Sequence, residues 1–152
     1  MKPLIRQRAD PFVRRHEDGY YYFTASVPEY DRIELRRART LEGLADAVPV
    51  DVWHKPAAGP LADLIWAPEI HHRNGAWYVY FAAAPSREIR DGLFQHRIYI
   101  LTTSAGNPLE GTWQLAGCMA TGRDTFCLDA TTFGHPGRDY FVCAQKDATI
   151  PG

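Results

Sequence analysis

The stretch Gly75-Ala76-Trp77-Tyr78-Val79-Tyr80-Phe81 is a glycine turn followed by an almost unbroken run of aromatic and branched side chains. Similar runs occur before and after it, at Gly19-Tyr20-Tyr21-Tyr22-Phe23 and at Gly137-Arg138-Asp139-Tyr140-Phe141-Val142. Nearly continuous apolar runs bounded by turn residues are typical of strands that are covered on both faces. The chain therefore repeats one strand-forming unit three times.

An acidic residue precedes each of these strands. Asp10, Glu69 and Asp129 are separated by 59 and 60 residues. A repeated all-β unit of this length predicts the blades of a β-propeller, in which equivalent positions of the innermost strands converge on one axis. We therefore expect Asp10 and Asp129 to face one pocket, with Glu69 on the adjoining inner strand.

The predicted fold class is all-β, a β-propeller shortened to about two and a half blades, because closure needs at least four blades. One partial propeller over residues 1–152 is expected, with blade one at about 10–55, blade two at about 66–116 and a partial blade three at about 126–146. Pro85–Gln95 is expected to be a surface loop. The last residues end before a third strand of blade three, so the sequence predicts a fragment of a longer protein.

Composition excludes several classes of partner. The formal net charge is −1, from 17 basic and 18 acidic residues, and no aromatic stacking platform accompanies the basic cluster Arg36–Arg39. No nucleic-acid partner is therefore predicted. No apolar run approaches the roughly 18 residues that cross a membrane. The N-terminus lacks the apolar core of a signal peptide, which predicts a cytoplasmic protein, or a secreted one if the natural N-terminus is missing. The oligomeric state stays open.

The three cysteines, Cys118, Cys127 and Cys143, include no C-x-x-C pair. An odd number without such a pair argues against a disulfide framework and against a zinc cluster. Small buried side chains in a reducing compartment are expected instead.

The segment Glu69-Ile70-His71-His72 suggests a metal site at first sight. Successive side chains of a strand point to opposite faces, so His71 and His72 cannot easily share one ion. Glu69 and His71 share a face, but two ligands do not make a site. No metal and no cofactor are predicted, and no serine-nucleophile or phosphate-binding motif is present.

The remaining chemistry is carried by carboxylates. Asp129 stands between Leu128 and Ala130, where an inward carboxylate is costly unless a partner or a substrate uses it. Trp66, close to Glu69, is either a platform that stacks on a sugar or a core residue. Paired carboxylates are the equipment of glycosidic bond hydrolysis.

Three motifs in order resemble glycoside hydrolase family 43: Ala9-Asp10-Pro11-Phe12, Trp66-Ala67-Pro68-Glu69-Ile70-His71 and Leu128-Asp129-Ala130-Thr131-Thr132. The resemblance extends from about residue 8 to residue 146. It implies a five-bladed β-propeller that acts on arabinose- or xylose-containing polysaccharides. The segment Tyr20–Asp31 is most similar to the exo-acting α-L-arabinofuranosidases of that family.

The resemblance also implies roles for individual residues. Asp10 would be the general base that activates water, and Asp129 would orient the general acid and raise its pKa. Trp66 would wall the pocket for the terminal sugar, with Glu69 nearby. The expected reaction is hydrolysis of a terminal α-L-arabinofuranosyl linkage, with inversion at the anomeric carbon.

The family's general acid is a glutamate of the fourth blade, which the resemblance places beyond this chain. Glu88 and Glu110 belong to blade two and are poor substitutes. The chain alone is therefore expected to be inactive. β-Xylosidase or endo-arabinanase activity remains an alternative, as does a sugar-binding pseudoenzyme without catalysis.

Overall fold

The computed structural model describes residues 3–147. Residues 1–2 and 148–152 lie outside the described residues, and with them the predicted end of the chain in blade three. Strands make up 54% of the structure, with one short 3-10 helix among the described residues. The strands are β1 (Ala9–Arg15), β2 (Tyr21–Ser26), β3 (Arg32–Ala38), β4 (Val50–His54), β5 (Asp63–Arg73), β6 (Ala76–Ala84), β7 (Ile89–Arg90), β8 (Leu93–Phe94), β9 (Arg97–Thr103), β10 (Gln114–Cys118), β11 (Cys127–His135) and β12 (Arg138–Gln145), and the helix is Glu42–Leu44.

Among the described residues, two four-stranded antiparallel sheets and two two-stranded hairpins make up the architecture. The first sheet has the order β1-β2-β3-β4 and the second has the order β5-β6-β9-β10, while β11 pairs with β12. Each sheet is a meander that begins on the strand carrying one of the acidic motifs. The first strands β1, β5 and β11 lie side by side, with β5 in contact with both others. These are the inner strands of successive blades.

The segment Pro85–Gln95 is not a plain loop. It contains β7 and β8, which pair as a small separate hairpin through Ile89 with Phe94 and Arg90 with Leu93. The sequence prediction missed this hairpin because a strand of two residues is too short to show any periodicity.

The core between the first two sheets follows from the side-chain alternation along β6. Trp77, Val79 and Phe81 point inward and are at most 1% exposed, whereas Tyr78 and Tyr80 point the other way and are half-buried. The inward residues pack with the buried aromatic and aliphatic side chains of β2 and β3 in one cluster. Each large apolar side chain buried in this way stabilises the fold by about 1.5–3 kcal/mol. This packing fixes the inner strands of the two blades against each other.

Each inner strand carries a β-bulge near its start. The register shifts between Ala9 and Phe12 in β1, between Trp66 and Glu69 in β5, and between Leu128 and Thr131 in β11. Asp10, Ala67 and Asp129 sit at the corresponding place in the three bulges, and their φ angles are 50°, 45° and 54°. Bulges re-aim side chains and are over-represented next to active sites.

The positions of the bulges show that the repeat aligns differently from the alignment that the sequence spacing suggests. The residue of β5 that corresponds to Asp10 and Asp129 is Ala67, and Glu69 corresponds instead to Phe12 and Thr131, the first regularly paired residues after each bulge. The spacing of 59 and 60 residues was misleading because Glu69 lies two residues beyond the bulge position. Two of the three inner strands therefore present an aspartate from the bulge, and the strand between them presents a methyl group.

Among residues 3–147, no helix has the length and apolar character needed to cross a membrane.

Candidate active site

The three sequence-predicted carboxylates interact electrostatically through Asp129. Partial burial, together with the negative charges of Asp10 and Glu69, raises the pKa of Asp129 above its ordinary value. Like charges disfavour ionisation of a neighbouring carboxyl group, and this effect requires that the groups lie close together. The carboxyls of Asp10 and Glu69 therefore lie near enough to Asp129 to act on its charge, and both aspartates are exposed.

Both aspartates adopt a left-handed backbone conformation that non-glycine residues rarely use. Residues held in such regions cost about 1–3 kcal/mol each and cluster at functional sites. Asparagine and aspartate tolerate this conformation better than most residues, which lowers the cost here. The surrounding sheet therefore holds the backbone of Asp10 and Asp129 in this strained conformation.

Ser26, at the end of β2, connects the bulge of blade one to the bulge of blade two. Its hydroxyl donates a hydrogen bond of 3.0 Å to Asp10 Oδ2 and accepts one of 2.8 Å from the backbone N–H of Ala67. Ser26 is 3% exposed. Because the Ala67 N–H occupies a lone pair of the hydroxyl oxygen, the single hydroxyl hydrogen is directed at the Asp10 carboxylate.

Glu69 is held by a hydrogen-bonded chain that reaches the third blade. His71 Nε2 lies 3.0 Å from Glu69 Oε2, and His71 Nδ1 lies 3.2 Å from the hydroxyl oxygen of Thr132. A carboxylate can only accept, so the tautomer with a proton on Nε2 donates to Glu69 and accepts from Thr132 at Nδ1. The His71 ring also packs against Phe12, with ring centroids 5.1 Å apart. His71 thereby links β1, β5 and β11.

The two neighbouring histidines point to opposite faces of β5, as the strand geometry predicts. His72 packs against Trp77 and His16, at centroid distances of 4.7 and 4.5 Å, on the side away from Glu69 and His71. In the part of the chain that the structure describes, no three histidine, cysteine or acidic side chains are grouped as metal ligands.

Trp66 is half-buried, and its contacts in the structure are those of a residue packed against the core. One face of its indole stacks on the ring of His96 at 4.3 Å, and Tyr30 and Phe94 meet it edge-on. Its Nε1 is buried and has no hydrogen-bond partner among the described residues. Trp66 therefore packs against the core cluster of Ala82 and its neighbours.

Sequence reasoning missed Ser26, Ala67 and His96. Ser26 ends an apolar strand and carries no motif, and Ala67 becomes notable only through the bulge. His96 is fully buried, and burial lowers its pKa, while its Nε2 hydrogen-bonds the backbone carbonyl of Leu64. No local pattern in the sequence signals any of these three contacts.

Comparison with known proteins defines the class of this chain. The profile of "Glycosyl hydrolases family 43" matches residues 1–151. The chain belongs to this family, as the three motifs suggested. The family's solved structures are five-bladed β-propellers, of which this chain forms a part, and the predicted fold class is thereby confirmed.

The chain is similar to several arabinofuranosidases. It is 51% identical over 145 residues to an extracellular exo-α-(1→5)-L-arabinofuranosidase of Streptomyces chartreusis, covering 95% of this chain and 43% of the relative. It is 46% identical to α-L-arabinofuranosidase 43 of Humicola insolens, covering 98% of this chain and 30% of that protein.

Among solved structures, the α-L-arabinofuranosidase from Lactobacillus brevis matches with a TM-score of 0.95 and 49% identity. That match covers 99% of this chain and 48% of the Lactobacillus chain. The chain therefore spans less than half the length of each of these relatives.

Proposed function

We propose that the complete protein hydrolyses terminal α-L-arabinofuranosyl linkages in arabinan or another arabinose-containing polysaccharide, with inversion at the anomeric carbon. The observation that carries this proposal is the pair of aspartates. Asp10 and Asp129 occupy equivalent bulges on inner strands, and their charges act on each other. The 51% identity to an enzyme named for this linkage supports the choice of sugar.

In this proposal, Asp10 is the general base. Its carboxylate takes a proton from a water molecule as that water attacks the anomeric carbon. The Ser26 hydroxyl holds one carboxylate oxygen, Oδ2, which leaves Oδ1 to receive the proton. The exposed position of Asp10 allows water and a sugar ring to reach it.

The general acid is proposed to come from residues that this chain does not contain. An inverting pair of carboxyls stands about 6.5–9.5 Å apart, so that water fits between the base and the sugar. Glu88 forms an exposed ion pair with Arg90, and Glu110 accepts a hydrogen bond from Asn107. Neither glutamate is therefore proposed to act together with Asp10 and Asp129. Asp129 would raise the pKa of the acid by its negative charge, since a like charge disfavours ionisation.

Trp66 and Glu69 are proposed to bind the sugar. A tryptophan face stacks on sugar C–H groups, and a carboxylate held by His71 accepts hydrogen bonds from sugar hydroxyls. β-Xylosidase or endo-arabinanase activity remains the alternative within the family, and a sugar-binding pseudoenzyme is the alternative outside catalysis. The word extracellular in the name of the Streptomyces relative favours the secreted form over the cytoplasmic one.

The test uses a five-bladed chimaera in which this chain replaces the matching 48% of the Lactobacillus brevis enzyme. The chain alone, the chimaera and the Asp10→Ala chimaera are compared on an aryl α-L-arabinofuranoside. The chimaera should release arabinose, Asp10→Ala should reduce kcat by about 10²–10⁴-fold, and the chain alone should release almost none.

Asp46→Asn is the matched control, because Asp46 is an exposed aspartate between the 3-10 helix and β4. It should keep full activity. Full activity of the Asp10→Ala chimaera would overturn the assignment of the base. Arabinan binding by an inactive chimaera would favour the pseudoenzyme.

A further inference from the structure

Two of the three cysteines meet inside the hairpin that carries Asp129. Cys127 Sγ and Cys143 Sγ lie 2.6 Å apart, in contact, with both side chains in their thiol form. Cys127 is 1% exposed and Cys143 is half-buried, and both belong to the apolar cluster between the second sheet and the hairpin. The sequence predicts unpaired cysteines, because the spacing of these two residues carries no recognisable motif.

We propose that Cys127 and Cys143 form a disulfide that joins β11 to β12 around Asp129. The bond forms by exchange with a small-molecule or protein disulfide. One cysteine thiolate attacks a sulfur of the oxidant and releases one oxidant thiol, and the second cysteine then attacks the mixed disulfide and releases the other. The two cysteines lose two electrons and two protons, and the oxidant is reduced to two thiols.

The strand register favours this pairing. Cys127 lies opposite Gln145, and Cys143 lies two residues before Gln145 on β12. Diagonal neighbours of this kind on an antiparallel pair share one face of the sheet. Between the two cysteines the register shifts at the bulge of Asp129. The disulfide would therefore close a loop that contains the bulge, the aspartate and the turn of the hairpin.

The β11–β12 hairpin packs against the second sheet through β11, and a disulfide would add a covalent link between its two strands. A disulfide removes conformational freedom from the unfolded chain and so favours the paired strands. In this position it would stabilise the backbone that holds Asp129 in its left-handed conformation.

The same environment argues against a reactive thiol at this place. Burial and the contact with Cys143 raise the pKa of Cys127, and the thiolate is the form that attacks. Once the hairpin is packed, exchange at Cys127 should be slow, so the disulfide should form while the hairpin folds. Cys118 is exposed on β10 and makes no sulfur contact with this pair, so it serves as an internal reference.

The test is a peptide map. The chain is produced in an oxidising bacterial periplasm, both alone and within the five-bladed chimaera. Free thiols are blocked with N-ethylmaleimide under acidic denaturing conditions, and the protein is digested with trypsin. Each cysteine falls in a separate tryptic peptide, namely Ile98–Arg123, Asp124–Arg138 and Asp139–Lys146.

If the disulfide forms, the peptides Asp124–Arg138 and Asp139–Lys146 should be recovered as one linked species that separates on reduction. Cys118 should carry the maleimide. Maleimide on Cys127 and Cys143 in the folded chimaera would overturn it, as would a linkage of either one to Cys118. A second measurement compares proteolysis of the hairpin in chimaera variants. Cys143→Ser should be cut faster than the parent, and Cys118→Ser should be cut at the parent rate. Equal rates for all three would show that no covalent link exists.

Discussion

The hydroxyl of Ser26 donates to Asp10 Oδ2 across 3.0 Å, while the same oxygen accepts from Ala67 N–H across 2.8 Å. Two bulges on neighbouring inner strands are therefore tied to one buried side chain. The bulge of blade two contributes no carboxylate, but its backbone fixes the serine that orients the carboxylate of blade one. The direction of the Asp10 side chain thus depends on how blades one and two pack.

Replacing Ser26 tests this dependence. Ser26→Ala in the five-bladed chimaera should lower kcat about three- to tenfold and leave KM nearly unchanged, because one hydrogen bond contributes about 0.5–1.5 kcal/mol. Ser26→Thr, which keeps the hydroxyl, should restore most of the rate. Equal losses in both variants would indicate a packing defect rather than the loss of an oriented carboxylate. Initial-rate kinetics on an aryl arabinofuranoside distinguishes the two outcomes.

Acid should weaken the seam between blades one and two. Burial, followed by the nearby His16 and Arg14 charges, lowers the pKa of His72 below its ordinary 6.5. The folded state therefore binds this proton less readily than the unfolded state does. The stabilisation is complete above about pH 6.5 and is lost as the pH falls from there through the folded pKa.

Denaturant melts of the chimaera and its His72→Gln variant between neutral and mildly acidic pH check this effect. The stability of the variant should fall less steeply than that of the parent. His54→Gln is the matched control, because the His54 side chain is 63% exposed, and it should follow the parent curve. Parallel curves for the parent and His72→Gln would exclude His72 as the acid-sensitive group.

The ionised carboxylate of Asp129 should lower the free energy of unfolding at neutral pH. Its folded pKa is raised above 3.8, so the ionised form is disfavoured in the folded state. The folded protein is most stable with respect to this group below pH 3.8 and loses that advantage as the pH rises through the folded pKa. Asp129→Asn should therefore raise the free energy of unfolding at neutral pH by no more than about 1 kcal/mol, because the exposed carboxyl is screened.

The comparison that checks this prediction is urea unfolding of parent and Asp129→Asn chimaeras at neutral pH and below pH 3.8. The difference should vanish in acid. A variant less stable than its parent at neutral pH would show that the carboxylate makes favourable contacts at the bulge instead.

The chain on its own should associate. Phe133, Tyr140 and Val142 lie on the β11–β12 hairpin with 48%, 41% and 49% of their surfaces exposed, and Phe133 stacks on Tyr140 across the strand pair. A contiguous apolar patch of this kind favours self-association. Size-exclusion chromatography should show species larger than a monomer. A sharp monomeric peak with cooperative melting would contradict this expectation.

Much of the fold could be predicted because its signals are local. The runs after Gly19, Gly75 and Gly137 mark the second strand of each blade, and turn residues separate them from the inner strands. Asp10 and Asp129 were recognisable because each lies in a short motif beside small or apolar residues. Such patterns need only neighbours in sequence to be read.

The missed features depend on contacts between distant residues. The equivalence of Ala67 with the two aspartates appears only in the strand register, since a bulge adds a residue without changing composition. Ser26 and Ala67 are far apart in sequence, as are His71 and Thr132, and their hydrogen bonds exist only once the blades pack. The contact of Cys127 with Cys143 likewise depends on where the register of the hairpin shifts.

The stereochemistry of the first-formed product tests the central claim most directly. Proton NMR would follow the chimaera on an aryl α-L-arabinofuranoside from the first turnovers, before the released sugar mutarotates. If Asp10 activates water in a single displacement, β-L-arabinofuranose appears first, and the Asp10→Ala chimaera forms almost none of it. Appearance of the α-anomer first would contradict the account, because retention requires a covalent intermediate and a carboxylate nucleophile in place of a general base.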